Sequence, residues 1–204
     1  MTIRKGEGWG QRIPMPDSIR QAESDTSLSQ CSRSDFVSLV GGDIHRTLGS
    51  PRPVQDESEC TLLFIDALQV RVLKSDGSEH QFTAASRVEI GSFLSPMGRG
   101  RYVCVTNGGI VNGRNLTPRA HPNDGRMDVM TIDASMTFRH RLIARNKAVT
   151  GTHLPHPQIS VRQIDSFDSR KVTRGEKLSI DGNVITNWSE LFVTITPDYW
   201  QVVV

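Results

Sequence analysis

What this chain lacks narrows it first. No apolar run in its 204 residues approaches the roughly 20 needed to span a bilayer, so no transmembrane segment is expected. The first ten residues, Met1-Thr-Ile-Arg-Lys-Gly-Glu-Gly-Trp-Gly, carry positive charge with no apolar segment behind it, which does not read as a signal peptide. Cysteines are few and unpaired in pattern. Cys31, Cys60 and Cys104 are widely spaced with no Cys-x-x-Cys motif, and read as free thiols of a reducing cytoplasm. The six histidines fall in no zinc-ligand spacing with them. An excess of one charge is missing too. Against 22 acidic residues stand 24 basic ones, a net +2, so the clustered basic surface that nucleic acid demands is not expected.

What is present is a chain long enough for one substantial core, or for a small lobe attached to a larger one. Residues 1–33 are polar and rich in Ser, Gly and Pro, and read as an arm with a short helix near Asp17–Glu23. Residues 34–60 hold a short apolar strand, Phe36–Val40, that stops at Gly41-Gly42-Asp43. A short helix from Ile44 to Leu48 follows, and then a Pro-containing linker over 50–60. From residue 61 to 204 the pattern is β. Leu68, Val70 and Val72 alternate with Gln69 and Arg71, and Ser75-Asp76-Gly77-Ser78 supplies a hairpin turn.

A return strand is expected over Gln81–Ile90. Further strands are expected at Tyr102–Thr106, Met127–Ile132, Ile159–Ile164, Phe167–Thr173, Lys177–Ile185, Leu191–Thr196 and Tyr199–Val204, with Pro197-Asp198 as the last hairpin turn. One helix interrupts them, capped by Asp133 or Ser135. Met136, Leu142, Ile143 and Val149 suggest its apolar stripe, with Arg139, His140, Arg141, Arg145 and Lys147 on the other side. The fold class is mainly β (α+β), a sandwich or curled sheet with one prominent helix.

Three stretches in order resemble the bacterial diacylglycerol kinase and related lipid kinase family. Tyr102-Val-Cys-Val-Thr-Asn107-Gly108-Gly109 is similar to a family strand ending in an Asn-Gly turn. It leads into Thr117-Pro-Arg119-Ala-His121-Pro-Asn123-Asp124-Gly125-Arg126-Met-Asp128-Val, similar to the family's Pro-x-Ala…Asp-Gly-x-Leu-Asp-Val. Thr150-Gly151-Thr-His153-Leu-Pro-His156-Pro157 resembles its Gly-x-His…His-Pro passage. Asp181-Gly182-Asn183 stands where the family reads Asp-Gly-Glu. The resemblance implies a two-layer antiparallel β-sandwich with a helix over residues 61–204.

The resemblance also implies roles. In the family the Asp124 loop binds a Mg²⁺ ion through the aspartate and backbone carbonyls, here those of His121 and Arg126; the other reading is a plain turn before a strand. Gly41, Gly42 and Asp43 match the family's Gly-Gly-Asp-Gly-Thr, whose glycines meet nucleotide phosphates. This chain departs from that pattern with Ile44-His45-Arg46, and Gly-Gly-Asp also reads as an ordinary strand-ending turn. The family's general base is the glutamate of Asp-Gly-Glu. Asn183 stands there, and a neutral amide cannot accept the proton, while Asp181 beside it reads as a turn residue.

Arg119, His153 and His156, with Gly41, Gly42, Asp43 and Arg46, are the candidate ligand or phosphate contacts. The bland alternative is solvated arginines and histidines satisfied by backbone. Some 33 polar residues before Phe36 cannot build the family's nucleotide lobe, so ATP binding is not expected. The reading is a cytoplasmic, non-catalytic, lipid-kinase-like module for a lipid, a phosphorylated small molecule or a protein partner. Homodimerisation and peripheral membrane contact are compatible with it, and nucleic acid is not. The alternative is a lipid kinase using ATP and Mg²⁺ with its nucleotide lobe supplied by another chain.

Overall fold

The computed structural model describes residues 9–54, 58–92, 100–173 and 175–204. The first eight residues of the arm and 55–57 of the linker lie outside the described residues. The described part of the arm is built rather than loose: strand β1 (Gln11–Pro14), strand β2 (Arg20–Ala22) and helix α1 (Asp25–Ser29). The helix expected near Asp17–Glu23 is therefore corrected. Arg20–Ala22 is a strand because it pairs in parallel with β3 (Phe36–Leu39), and the helix starts later, at a capping box. There the Ser24 hydroxyl accepts the Ser27 N–H (3.1 Å) and the Ser27 hydroxyl accepts the Ser24 N–H (2.9 Å). Helix α2 (Gly42–Thr47) follows β3 directly.

Two long strands organise the rest. β4 (Glu59–Lys74) and β15 (Trp188–Val203) run antiparallel from Lys74 opposite Trp188 to Leu62 opposite Val203. One half of this ribbon is flanked by β5 (Glu79–Ala84) on β4 and β12 (Ser166–Arg170) on β15. The other half is flanked by β1 on β4 and, in parallel, β3 on β15, with β2 outermost. The expected turn at Asp76-Gly77 joins β4 to β5, with Gly77 at φ +86°; positive φ is the reason for glycine there. Pro197-Asp198 is not a hairpin turn. It is an irregularity inside β15, between Thr196 and Trp200, that lets one strand serve both halves of the ribbon.

The second sheet is antiparallel throughout. Its strands are β6 (Arg87–Gly91), β7 (Tyr102–Thr106), β10 (Met127–Ile132), β11 (Ile159–Ile164), β13 (Leu178–Ile180) and β14 (Asn183–Ile185), in the order β11-β10-β7-β6-β13-β14. The expected strand over Gln81–Ile90 is thus two strands in two sheets, parted at Ala85-Ser86. Lys177–Ile185 is likewise a small hairpin that turns at Asp181-Gly182. Leu68, Val70, Val72, Leu191 and Val193 of the ribbon pack against Val88, Ile90, Val103, Val105, Met127 and Val129, forming the sandwich core. At the ribbon's other end Ile65, Ala67, Trp200 and Val202 pack with Leu28, Val37, Leu39 and Ile44.

The outer face of the second sheet is covered by the hairpin β8 (Ile110–Val111) and β9 (Arg114–Asn115) and by helix α3 (Phe138–Lys147). The expected stripe of α3 is inverted. Arg141 is fully buried and Ala144 nearly so, while Phe138, Leu142, Ile143 and Val149 are exposed; of the expected stripe only Met136 is inside. The cap is Thr137, not Asp133 or Ser135. Asp133 and Ser135 instead build the preceding turn, where the Asp133 carboxylate accepts the Ser135 N–H (2.7 Å) and hydroxyl (2.6 Å). All three cysteines are buried thiols that form no disulfide among the described residues. Among the described residues no helix is long and apolar enough to cross a membrane.

Candidate functional site

The Gly-Gly-Asp turn joins β3 to α2 and meets two elements at once. Helix α1 lies against its glycines. The Asp25 carboxylate accepts the Asp43 N–H at both oxygens (3.0 and 2.9 Å) and the Ile44 N–H at 3.1 Å. A Cβ on Gly42 would stand 2.5 Å from Asp25 Oδ1, and one on Gly41 would collide with the Glu23 carbonyl. Glycine is therefore required here for the approach of the chain's own segment Glu23–Asp25. Burial pushes the Asp25 carboxyl above its ordinary range against these donors.

Asp43 is itself buried and fully engaged. Its Oδ2 accepts from Arg87 Nη1 (2.6 Å) and the Asn112 N–H (2.7 Å), and its Oδ1 accepts from Arg46 Nη1 (2.9 Å). Arg87 continues the network, with Nε to Glu89 (3.0 Å) and Nη2 to Asn112 Oδ1 (3.0 Å). Tyr102 donates its hydroxyl to Glu89 (2.6 Å). Burial alone would weaken the Arg87 charge; Glu89 and Asp43 more than offset it and hold its pKa up. Arg87, Glu89, Tyr102 and Asn112 of this network form one wall of a cleft of about 410 Å³. Its other cations are Arg114 on β9, Arg145 on α3 and Lys177 before β13, and the buried Nε of Arg114 has no partner. A cleft with four cationic side chains and one carboxylate suits an anionic ligand.

The Asp181-Gly182-Asn183 turn closes the same region. The Asp181 carboxylate accepts the N–H groups of Ala85 (2.7 Å), Ser86 (2.9 Å) and Arg87 (2.9 Å), fixing the step into β6. Burial pushes this carboxyl up to about 6 despite those donors. Asn183 Nδ2 donates to the Thr26 hydroxyl (3.1 Å), which in turn donates to the Asp181 carbonyl (3.3 Å). Helix α1 thus bridges the two motif turns, Asp25 on Gly-Gly-Asp and Thr26 on Asp-Gly-Asn.

The remaining expected residues lie elsewhere. In the Asp124 loop, Asp66 is the organising group: its carboxylate accepts from the N–H groups of Gly125 (2.7 Å) and Asp198 (2.9 Å) and from Asn123 Nδ2 (3.2 Å). Burial pushes Asp66 up to about 7. Asp124 accepts from the Arg126 N–H (3.0 Å) and from Gln163 Nε2 (2.6 Å). His121 Nδ1 accepts the Asn123 N–H (3.2 Å), and its ring sits edge-on to Trp9 at 4.7 Å. The side chain of Arg126 faces Asp165 at 3.7 Å. The loop's side chains therefore offer a hard cation a single carboxylate. Among the described residues no three His, Cys, Asp or Glu side chains are grouped to hold a metal.

His153 is buried, with Nε2 on the Leu116 carbonyl (3.1 Å), and burial lowers its pKa. Arg119 and His156 line a separate cavity near β10 and β11. So Gly41, Gly42, Asp43 and Arg46 come together with Asp181 and Asn183, but not with Arg119, His153 or His156. Sequence reasoning missed Asp25, Arg87, Glu89 and Lys177 because only the folded sheets bring them to one cleft and its adjoining turn. Only Arg145, on the basic helix, carried a signal.

Residues 66–204 match the family model described as the YegS C-terminal NAD kinase beta sandwich-like domain. The fold is similar to that of a Bacillus anthracis str. Sterne protein assigned as a diacylglycerol kinase, with TM-score 0.55 and 12% identity, covering 90% of this chain and 76% of that one. A second B. anthracis structure so assigned gives 0.54 and 11%, covering 90% and 77%. Yeast NADH kinase complexed with NADH gives 0.53 and 11%, covering 91% and 60%. At these identities the likeness to solved structures is one of fold. No curated protein matches the chain. The sandwich that carries the Asp-Gly-Asn turn and most of the cleft makes this chain a member of the YegS C-terminal, NAD-kinase-like β-sandwich family.

Proposed function

We propose that this chain is a non-catalytic member of its kinase-related family that binds an anionic small molecule, such as a phosphorylated one, in the cleft beside Asp43. The observation that carries the reading is the place of Asp25. Its carboxylate takes the backbone N–H groups of Asp43 and Ile44, directly after the glycines that the resemblance sets against nucleotide phosphates, and an acid already held there repels a second anion. Two further features support it. Asp43 is neutralised by two arginines and a main-chain donor, so its carboxylate is not free to act as a base. At the family's general-base position Asn183 cannot take a proton, and its amide is used to hold α1.

The cleft's positive wall supports the ligand class. Arg114, Arg145 and Lys177 are paired with no acid among the described residues. The exposed Phe138, Leu142 and Ile143, set beside Arg139 and Lys147, support peripheral contact of α3 with a membrane surface. The test is a calorimetric titration with inorganic pyrophosphate. Saturable binding is expected, weakened about tenfold or more in Arg145→Ala. Absence of binding, or binding indifferent to Arg145 and Lys177, would overturn the assignment of the cleft.

A further inference from the structure

One buried charge in this molecule is left without an answer from the protein itself. Asp128, on β10, is 5% exposed. The other buried carboxylates, Asp25, Asp43 and Asp66, each accept several hydrogen bonds. The Asp128 carboxylate accepts none among the described residues, and no cation pairs with it. Its oxygens are not among the fully enclosed side-chain atoms; they open onto a cavity, where a carboxylate without a protein partner is available to a ligand. Burial pushes its carboxyl up to about 6, and the Asp124 carboxylate adds to the rise.

Asp128 forms part of the wall of a cavity of about 750 Å³, beneath the loop from Gly151 to His156. This cavity shares no lining residue with the cleft beside Asp43; in the sheet it lies at β10 and β11, whereas the cleft lies at β6 and β13. Its apolar walls are Leu154, Pro155, Ile159 and Val161. Two guanidinium groups, Arg119 and Arg162, also line it. Both residues are exposed, and neither side chain pairs with an acid among the described residues. One cavity therefore holds a buried anion and two cations that do not reach each other.

We propose that this cavity binds a small zwitterion, its ammonium on Asp128 and its anionic group on Arg119 and Arg162. An ammonium brings three N–H donors and a positive charge to a carboxylate that lacks both. Guanidinium groups are suited to phosphate or carboxylate at the mouth. A metal ion answers the same charge less well, since among the described residues no third His, Cys, Asp or Glu joins Asp124 and Asp128. A phosphorylated amino alcohol has the required chemistry, free in solution or as a lipid headgroup.

The experiment is calorimetry on the full chain with O-phosphoethanolamine, with ethanolamine and inorganic phosphate as separate arms, and with vesicles of phosphatidylethanolamine against phosphatidylcholine. O-phosphoethanolamine should bind at least about tenfold more tightly than either fragment. Asp128→Asn, and separately Arg162→Ala, should each weaken it about tenfold or more. Arg162 is exposed, so its replacement tests the site even if the Asp128 variant folds poorly. Binding of the soluble zwitterion points to a free metabolite; binding only of the phosphatidylethanolamine vesicles, lost in the same variants, points to a headgroup. Four outcomes overturn the proposal: no binding, equal binding of phosphate alone, loss that follows Arg145→Ala rather than Asp128→Asn, or Mg²⁺ alone binding in an Asp128-dependent way.

Discussion

Asp66 shows how a single side chain can set a loop and a pH response together. It is fully buried, yet it ties Asn123, Gly125 and Asp198 into one turn. Its folded pKa of about 7 lies above the unfolded value of about 4. The folded chain therefore keeps a proton that the unfolded chain releases. The stability contributed by this group is full below about pH 4 and drains as pH rises through about 7. A carbon-detected titration of the Asp66 carboxyl should show a midpoint near 7. A midpoint near 4 would show that the hydrogen bonds to its charged form outweigh burial. None of this was legible in the sequence, where Asp66 is one polar residue in a strand. Its partners lie 57, 59 and 132 positions away.

At the scale of elements, period-two patterning gave the strands their places but not their ends or their partners. Leu68, Val70 and Val72 face the core as expected. The ribbon strand β15 was read as two strands because Pro197 and Asp198 form a turn-like pair, and local chemistry does not tell a turn from a bulge. The hydropathy of helix α3 points to the wrong face for a different reason. Arg141 offsets much of its burial by donating from Nε and Nη2 to the carbonyls of Met136 (3.0 Å), Asp133 (2.9 Å) and Gly100, oxygens that hydropathy does not count. Arg141→Ala should accordingly cost about 2–4 kcal/mol in urea unfolding, through lost packing and stranded carbonyls. Leu142→Ser should change stability by only about 0.5 kcal/mol. The reverse ranking would restore the helix orientation that hydropathy suggests.

At the scale of the molecule, the ribbon of β4 and β15 carries two cores, and the functional turns gather where its two halves meet. Leu68 and Val70 belong to the sandwich, and Ile65 and Ala67 belong to the core that α1 and α2 complete. Helix α1 joins the two motif turns across that boundary, so the region by Asp43 is closed by the chain itself while the cationic cleft beside it stays open. The motifs were legible as residues: Gly-Gly-Asp and Asp-Gly-Asn are both turns. Their closure was not, because Asp25 and Thr26 reach partners 18 and 157 positions away. The most direct test of a non-catalytic role is a calorimetric titration of the full chain with ATP and ADP, with and without Mg²⁺. The account predicts no saturable heat beyond phosphate binding in the cationic cleft, which is lost in Arg145→Ala. Nucleotide binding that disappears in Asp43→Ala would contradict it and make the Gly-Gly-Asp turn a working phosphate site.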